Sequence, residues 1–478
     1  MPRRVRHPAI SEVLQALLAA PYVSELGQLL EGSPLGRPRK HPAWVPVAYG
    51  ALGRHFRSYN RLDAELVGGL WTQLRQAVEG AGLPDPGPSP YTYPQHAYWR
   101  DLAVKDPERR EALLDTFSTL AVAQARRSGL LLPGRKGSLT HPDPSRVIYG
   151  DGTVVRPIYR IMPDKDDAAD SLAAKGRSGA SEGTDTEAVP ARERRQDTSA
   201  ALFQRHDGPI HGNDFVVFFA RGDDPGSRIV LGVDRVDAPG READTAVRLV
   251  ERIAPLTTGG VQAVVYDGAL KGVHIDRVMR RCGLLVVNKV AAAARNDDEV
   301  VVKRRPLGTY SHRVGRRSCS HSLHIEDGSV IDMGLADDGT PLRLSTATRK
   351  QVKRVQRADG TYRFHLGVTI PCRRSNFTIW LSPHARNDAD NLPEHLRLIP
   401  PADPDFKRIY GRRNDSESFN SQYKRTLLVD RAASVGWERQ LFDVLAFAVL
   451  QNSLSAASRH ADQPLLRRLE TGHSRRSA

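Results

Sequence analysis

Two aspartates stand beside apolar, strand-like segments, at positions where a carboxylate has little structural purpose. Asp151 interrupts the segment RVIYGDGTVV, and Asp267 follows VQAVVY. A carboxylate beside a buried strand costs free energy unless another group pairs with it. Each aspartate also precedes a glycine, so an ordinary Asp-Gly turn is the alternative for both. Taken alone, neither residue decides between a turn and a functional site.

A third element, IYGRRNDSESFNSQYKRTL, places four reactive side chains at helical spacing. Tyr410, Arg413, Glu417 and Lys424 follow one another at intervals of three, four and seven residues. On a continuous α-helix, at about 100° per residue, the four side chains fall within roughly 60° of arc and share one face. The alternative is a structural ion pair, because Arg413 and Glu417 stand at i, i+4.

The spacing Tyr-x2-Arg-x3-Glu-x6-Lys resembles the Tyr-Arg-Glu-Lys signature of the insertion-sequence-four family of bacterial DDE transposases. That family has a ribonuclease H-like fold, with one Asp on the first strand, another after the fourth strand and the Glu on a later helix. Asp151, Asp267 and Glu417 match those places, and the resemblance covers about residues 146–459. The residues after Asp267 depart from the family pattern, since Gly-Ala-Leu-Lys replaces a basic or small residue, glycine and an aromatic.

The resemblance implies a metal-dependent enzyme with three catalytic carboxylates. Two Mg²⁺ ions, which Mn²⁺ can replace, would lie about 3.5 to 4 Å apart and act on the two sides of a phosphodiester. Asp151 would bridge both ions, while Asp267 and Glu417 would each complete one coordination shell. Oxygen ligands suit Mg²⁺.

The same resemblance assigns DNA contacts to the other signature residues. Arg413 and Lys424 would hold phosphates beside the scissile bond, and Tyr410 would pack against or hydrogen-bond to the DNA backbone. The implied activity is cut-and-paste transposition: recognition of terminal inverted repeats, strand cleavage and transfer into target DNA. A homodimer on paired double-stranded DNA ends is the expected assembly.

Two other functions share parts of this pattern. One is a non-catalytic or domesticated transposase-derived protein that only binds DNA, and the presence of all three carboxylates disfavours it. The other is a ribonuclease H-fold nuclease without strand transfer, which the Tyr-Arg-Glu-Lys helix disfavours. Strand-transfer products would separate the three.

The composition favours a polyanionic partner inside the cell. The chain of 478 residues carries 70 Lys+Arg against 55 Asp+Glu, a formal charge of +15, and a surplus of this size is typical of nucleic-acid-binding proteins. Three cysteines are too few for a disulfide framework in so long a chain. No membrane span or signal peptide is evident, so we expect a cytoplasmic protein associated with the nucleoid.

The pattern of apolar residues predicts an α/β protein with a ribonuclease H-like mixed sheet, in the order βββαβαβ. A segment poor in large apolar residues after the first strand is expected to be disordered. The predicted regions are a helical, DNA-end-binding N-terminus over 1–140; the first part of the catalytic core over 141–290, with the disordered insert at 164–205; a β-rich insertion over 291–400; helices that complete the core over 401–458; and a loose basic tail over 459–478.

The β-rich insertion holds two further groups of interest. A zinc site is one interpretation of five cysteines and histidines in this segment: Cys319, His321, His324, Cys372 and His384. The spacing lacks a Cys-x2-Cys pair, which argues against such a site.

Trp380, in NFTIWLSP, is expected to be a core residue of a strand. Some relatives, however, use an insertion-domain tryptophan to receive a base flipped out of DNA. Trp380 is therefore not counted among the candidate site residues.

Overall fold

The structure is a computed structural model, and it describes residues 8–31, 39–134, 137–158, 197–205, 208–223, 227–290, 295–296, 299–300, 304–385, 391–427 and 430–473. The helices are α1 Ile10–Ala19, α2 Pro21–Gln28, α3 Trp44–Phe56, α4 Tyr59–Glu65, α5 Trp71–Ala81, α6 Tyr93–Val104, α7 Pro107–Arg127, α8 Glu242–Leu256, α9 Gly272–Arg277, α10 Leu392–His395, α11 Pro404–Tyr410, α12 Asn414–Arg425 and α13 Trp437–His473. The strands are β1 Val147–Val155, β2 Ala201–Arg205, β3 Gly208–Ala220, β4 Ile229–Arg235, β5 Ala263–Val265, β6 Leu285–Val287, β7 Arg295–Asn296, β8 Glu299–Val300, β9 Arg304–Val314, β10 Arg317–Glu326, β11 Ser329–Leu335, β12 Pro341–Thr346, β13 Thr348–Gln356, β14 Tyr362–Ile370 and β15 Phe377–Leu381.

A six-stranded mixed sheet forms the centre of the molecule. Strands β1, β3 and β4 pair antiparallel, while β5 and β6 continue the sheet from β1 in parallel, so the five main strands have the order β4-β3-β1-β5-β6. The sixth strand, β2, pairs with the start of β3. The parallel strands AVV and LVV are buried throughout, as strands covered on both faces must be. The predicted α/β class and the order βββαβαβ are confirmed, with β2 as one additional short strand beside β3.

The insert expected to be disordered over 164–205 is ordered at its C-terminal end; the rest of it lies outside the described residues. Strand β2 pairs with the start of β3 from Ala201 to Arg205. Asp197 is buried and accepts hydrogen bonds from Ser199, Gln440 and the backbone of Gly436. This end of the insert is therefore ordered by contacts with residues distant in the chain, which the local composition does not reveal.

The N-terminal helices share one hydrophobic core with the central sheet. Tyr22 of α2 donates to Gln124 of α7 over 2.6 Å, and Gln124 donates to the carbonyl of Asn452 on α13 over 2.9 Å. The Asn452 amide donates to the carbonyl of Val230 on β4 and accepts from its N–H, both over 2.8 Å. Helices from the N-terminus and the C-terminus are thus joined to the sheet through one buried network.

The segment interpreted as a β-rich insertion contains strands β7 to β15. Strands β9 to β12 form one antiparallel sheet in the order β12-β11-β10-β9, and β13 to β15 form a second in the order β13-β14-β15. Trp380 on β15 is 45% exposed, so its assignment to the core was wrong. Gly367, its partner on β14, leaves room for the indole to lie flat across the strand pair.

Helix α13 is long and apolar enough from Trp437 to Ser458 to cross a membrane by length and composition, but 72% of that stretch is buried inside the fold. It packs against α3 and β4, as a core helix does. The helix also continues to His473, so the loose tail expected from residue 459 is helical over most of its length. The run LLRRLE consists of good helix formers, which explains the extension.

Candidate active site

The parallel pairing of β1 with β5 places Asp151 and Asp267 at the same level of the sheet. Tyr149 is paired with Val265, and each aspartate follows its paired residue by two positions. Side chains two residues apart in a strand point to the same face. The two carboxylates therefore lie side by side, where the carboxyl end of β5 meets the middle of β1.

Asp151 belongs to the middle of a strand, which excludes the Asp-Gly turn considered from the sequence. Its neighbours on both sides continue the pairing with β3, and Asp151 itself lies opposite Val217. Gly152 is required for another reason: a Cβ there would lie 2.4 Å from the Glu242 carboxylate of α8, on the opposite face. The glycine thus allows Glu242 to approach the strand beneath Asp151.

The Asp267 carboxylate both forms a turn and faces the candidate site. Its Oδ1 accepts the Ala269 N–H over 2.8 Å, which forms the turn after β5. Its Oδ2 lies 3.8 Å from the guanidinium of Arg413. Asn288, directly after β6, donates to the carbonyls of Asp267 and Leu270 and holds this turn against the neighbouring strand.

Arg413 bridges the two aspartates. Its Nη2 donates to Asp151 Oδ1 over 2.8 Å and also makes the 3.8 Å contact with Asp267. Burial opposes the charge of the guanidinium, but Asp151, Tyr410 and Asp267 together raise the pKa of Arg413 above its ordinary value. The ion pairs shown for Arg413 are therefore with the aspartates of the sheet, and the i, i+4 pair with Glu417 considered from the sequence is not among the contacts of the described residues.

Tyr410 lies half-buried between an aromatic ring and cations. Its ring stacks on Phe406 at 4.7 Å, and the Arg413 guanidinium and the Lys289 ammonium stand 5.9 and 5.7 Å from its centroid. Burial is the main reason that the pKa of Tyr410 is raised. The phenol is therefore held neutral beside the carboxylates.

The signature residues do not lie on one continuous α-helix. Helix α11 ends at Tyr410, a 3₁₀ turn runs over Gly411–Arg413, and α12 begins at Asn414. Glycine has a low helix propensity, which favours the tighter turn here. Side chains at i and i+3 eclipse in a 3₁₀ turn, so Tyr410 and Arg413 remain on the same side.

Glu417 and Lys424 lie on α12, which runs past β1. Glu417 is exposed, and its carboxylate forms no hydrogen bond or ion pair within the described part of the chain. Asn420, three residues after Glu417 and four before Lys424, donates to Asp151 Oδ2 over 3.0 Å. The face of α12 that carries Glu417 and Lys424 thus meets Asp151 through Asn420.

The three carboxylates form an open group in this structure. Among the described residues, the oxygens of Asp151, Asp267 and Glu417 do not all lie within 4.8 Å of one another. The surroundings are nevertheless strongly acidic: burial first, and then Glu242, Asp267 and Asp151, raise the pKa of Tyr266 well above its ordinary value. The site therefore carries a negative field that favours cations.

Three polar residues of this site were missed from the sequence, namely Asn420, Asn288 and Lys289. Asn420 occupies the helical turn between Glu417 and Lys424, so the periodicity of the signature could have found it. Asn288 and Lys289 directly follow β6, and the carboxyl ends of neighbouring parallel strands meet at one edge of the sheet. Their position beside Asp267 could have been predicted from that rule.

The zinc ligands imagined from the sequence are only partly brought together. His321 and Cys372 meet His312, and the ligand atoms of these three residues lie within 4.8 Å of one another. His384 instead contacts Asp276 and accepts the Phe364 N–H, and His324 lies near the carbonyl of Ser322. The grouping of His324 and His384 with the cysteines was therefore wrong.

Comparison of the sequence with protein-family models and with curated proteins finds no match.

Proposed function

We propose that this protein is a DNA transposase that cleaves and rejoins phosphodiesters with three carboxylates, Asp151, Asp267 and Glu417. The observation that carries the proposal is the pair of aspartates on adjacent parallel strands, both within 4 Å of one guanidinium nitrogen. That guanidinium belongs to the segment that leads into the helix of Glu417. Residues from three distant parts of the chain thus meet where the resemblance expects a catalytic centre.

The topology of the sheet supports a ribonuclease H-like core. If the short β2 is set aside, the five main strands in chain order are β1, β3, β4, β5 and β6. Their spatial order is third, second, first, fourth, fifth, with the first three antiparallel and the last two parallel to the first. The family named above carries its first Asp on the first strand and its second after the fourth, which are the places of Asp151 and Asp267.

The donor set fits hard divalent cations. Asp151 and Asp267 already share one cationic group, and both present carboxylate oxygens, which Mg²⁺ and Mn²⁺ prefer. Asp151 and Asp267 would hold the ions, and Glu417 would join them from α12. When bound, a pair of such ions supplies the activation of the attacking oxygen and the stabilisation of the leaving oxygen.

The residues of the chain itself bind and orient the DNA strand. Arg413 is positioned to hold a phosphate that is brought to Asp151, because its planar guanidinium is suited to bidentate contact with phosphate oxygens. Lys289 adds positive charge beside Tyr410, and Lys424 lies one helical turn after Asn420 on α12. These charges would offset the repulsion between the carboxylates and the phosphodiester. Asn420 orients the Asp151 carboxylate through its hydrogen bond.

The β-rich segment offers a second surface suited to DNA. Trp380 is exposed, and the Lys353 ammonium stands 4.4 Å from the centroid of its indole. Lys350, on the same strand as Lys353, donates to Thr378 of β15. An exposed aromatic ring beside lysines is typical of surfaces that contact single-stranded nucleic acid.

The test is cleavage by carboxylate variants of the full chain on double-stranded DNA that carries the sequences flanking the reading frame. Asp151→Asn, Asp267→Asn and Glu417→Gln each remove a metal ligand but no phosphate contact, so we expect loss of nicking with Mg²⁺ or Mn²⁺ and retained gel shifts. Glu65→Gln, an exposed control on α4, should cleave normally. Near wild-type cleavage by any one of the three variants would refute the assignment.

The second candidate is a protein that binds DNA without cutting it. The +15 charge and the Trp380 surface are compatible with that function. A wild-type protein that shifts DNA but produces neither nicks nor strand-transfer products with Mg²⁺ or Mn²⁺ would favour it. Nicks without strand transfer would instead indicate a nuclease.

A further inference from the structure

A group of histidines and cysteines lies far from Asp151 in sequence, between the two sheets of the β-rich segment. In the hairpin of β9 and β10, Cys319 is paired with His312, and His321 follows Cys319 by two residues. Paired residues and residues two apart share a face of the sheet. His312, Cys319 and His321 therefore point to the same side of the hairpin.

Cys372 approaches that side from the loop between β14 and β15. The ligand atoms of Cys372, His312 and His321 lie within 4.8 Å of one another. Cys319 lies outside this group of three, but it is on the same face of the hairpin and its thiol faces the Cys372 sulfur. In tetrahedral zinc sites, neighbouring ligand atoms are about 3.3 to 3.8 Å apart, given Zn–N and Zn–S bonds of about 2.0 to 2.3 Å. A contraction of about 1 Å, within the reach of side-chain rotation, would bring these three ligands to that spacing, and Cys319 would become the fourth ligand by rotating its side chain towards them.

His312 and His321 each have a ring nitrogen that is free to bind a metal on the side of the Cys372 sulfur. The Nε2 atoms of His312 and His321 are buried and, within the described residues, have no hydrogen-bond partner. A buried imidazole nitrogen without a partner costs free energy that a metal bond would recover. His321 is more than nine-tenths buried, and its other nitrogen, Nδ1, lies 2.6 Å from the carboxylate of Asp332 on β11. A carboxylate behind a histidine is the usual arrangement that orients a zinc ligand.

The loop of Cys372 directs backbone donors at its sulfur. The N–H groups of Arg374 and Ser375 face the Cys372 Sγ, where they can stabilise the thiolate that a metal ion binds. Asn376 accepts the Cys372 N–H over 3.1 Å and closes the turn.

We propose that His312, His321, Cys319 and Cys372 bind one Zn²⁺ ion as a closed structural site. Nitrogen and sulfur ligands in a tetrahedral set favour zinc over the hard cations expected at Asp151. Binding releases the protons of the two thiols to solvent and leaves both imidazoles neutral. The site joins the hairpin of β9 and β10 to the loop beside β15, and it thereby fixes the strand that carries Trp380.

The test is the metal content of the full chain, purified under reducing conditions without chelator and measured by mass spectrometry. We expect one zinc per chain in the wild type, and loss of it in His321→Ala and Cys372→Ser. Replacement by Co²⁺ should give a thiolate charge-transfer band and the intense visible bands of a tetrahedral site. His324→Ala, on the same strand, and Cys282→Ser, the remaining cysteine, are matched controls that should keep the metal.

Milder variants keep the test decisive if the first two fail to fold. Asp332→Asn leaves all four ligands in place and should weaken zinc binding about 10- to 100-fold. Cys319→Ser should keep a weaker site with an altered Co²⁺ spectrum. Asp151→Asn should keep its zinc, which separates this proposal from the proposed catalytic function. A wild-type chain that binds neither Zn²⁺ nor Co²⁺, a disulfide between Cys319 and Cys372 that persists under reduction, or full zinc in His321→Ala would overturn the site.

Discussion

Arg413 occupies the space where two carboxylates would otherwise repel each other. Its side chain and that of Asp151 are both largely buried, so the pair is poorly screened by solvent. A guanidinium in this place offsets part of the negative charge of the two aspartates, and it also competes with any divalent cation that binds there. Under the proposed function, the same residue would stabilise the protein in the absence of ligands and would contact a phosphate once DNA and metal are bound.

We predict that Arg413→Ala lowers the thermal stability in the absence of metal and enlarges the stabilisation by Mg²⁺ or Mn²⁺. The loss should be about 1 to 3 kcal/mol, because a charged hydrogen bond is removed and two nearby carboxylates remain. Thermal melts with and without each metal measure both effects. The double variant Asp151→Asn with Arg413→Ala should lose the extra metal response. Equal metal shifts in Arg413→Ala and wild type would contradict the competition.

Asn420 is a positioning residue, since it touches Asp151 and not the expected substrate. We predict that Asn420→Ala cuts DNA about tenfold more slowly, binds it as tightly as wild type and requires more metal for half-maximal rate, because the Asp151 carboxylate becomes free to rotate. Gln422→Ala, an exposed neighbour on the same helix, is the control. The test is the cleavage rate as a function of metal concentration. If the metal concentration for half-maximal rate is unchanged while the melting temperature falls, Asn420 has only a structural role.

At the scale of elements, α13 is tied to the N-terminal helices by a fully buried charge cluster. Asp443 of α13 lies 3.9 Å from Arg54 and 3.8 Å from Arg100, and it accepts a 2.7 Å hydrogen bond from Tyr59. Burial alone would raise the pKa of Asp443, but the two guanidiniums and the hydrogen bonds from Ser434 and Tyr59 hold it below its ordinary value. The carboxylate is thus required to stay charged.

We predict that Asp443→Asn destabilises the fold by about 3 to 5 kcal/mol, because it leaves two buried guanidiniums without their counterion. Since the pKa of Asp443 is lower in the folded than in the unfolded chain, its contribution is full above about pH 4 and is lost as the pH falls towards the folded value. Urea unfolding between neutral and acid pH measures this. Asp85→Asn, which breaks the exposed pair with Arg75, should have little effect, and a similarly small loss in Asp443→Asn would contradict the argument.

The sequence predicted the elements well where their signal is local. The composition of segments such as FVVFFA and LVV, rich in β-branched and aromatic residues, is enough to predict strands. The parallel pairing of β1 with β5 then places Asp151 beside Asp267. The sequence did not predict the 3₁₀ turn over Gly411–Arg413, because the helical spacing of the signature indicated one continuous helix. The ion-pair partner of Arg413 was also missed. Spacing along one helix suggests Glu417 as the partner, whereas the folded sheet places Asp151 next to the Arg413 guanidinium. The proposed zinc ligands come from a hairpin and a distant loop, so no local motif marks them.

At the scale of the whole molecule, the N-terminal helices were expected to act as a separate DNA-reading unit. In the structure they cover the sheet and α13 within one core, and Tyr22 and Gln124 complete the polar network of Asn452. Their removal would expose the buried face of α13 and leave the Asn452 network incomplete. End recognition by residues 1–140 remains a prediction, but deletion cannot test it cleanly.

We predict that a chain beginning at Ser138 does not fold, whereas the full chain does. The buried apolar side chains of α1 to α7 belong to the common core, and the free energy lost with them far exceeds the 5 to 15 kcal/mol that holds a typical domain together. Circular dichroism, urea unfolding and size-exclusion chromatography distinguish the two chains. Loss of a DNA footprint in the short chain would then report unfolding and not the loss of a groove-reading helix. A folded, monomeric chain from Ser138 with a cooperative urea transition would show instead that the catalytic core stands alone, and its footprint would become a valid test of end recognition.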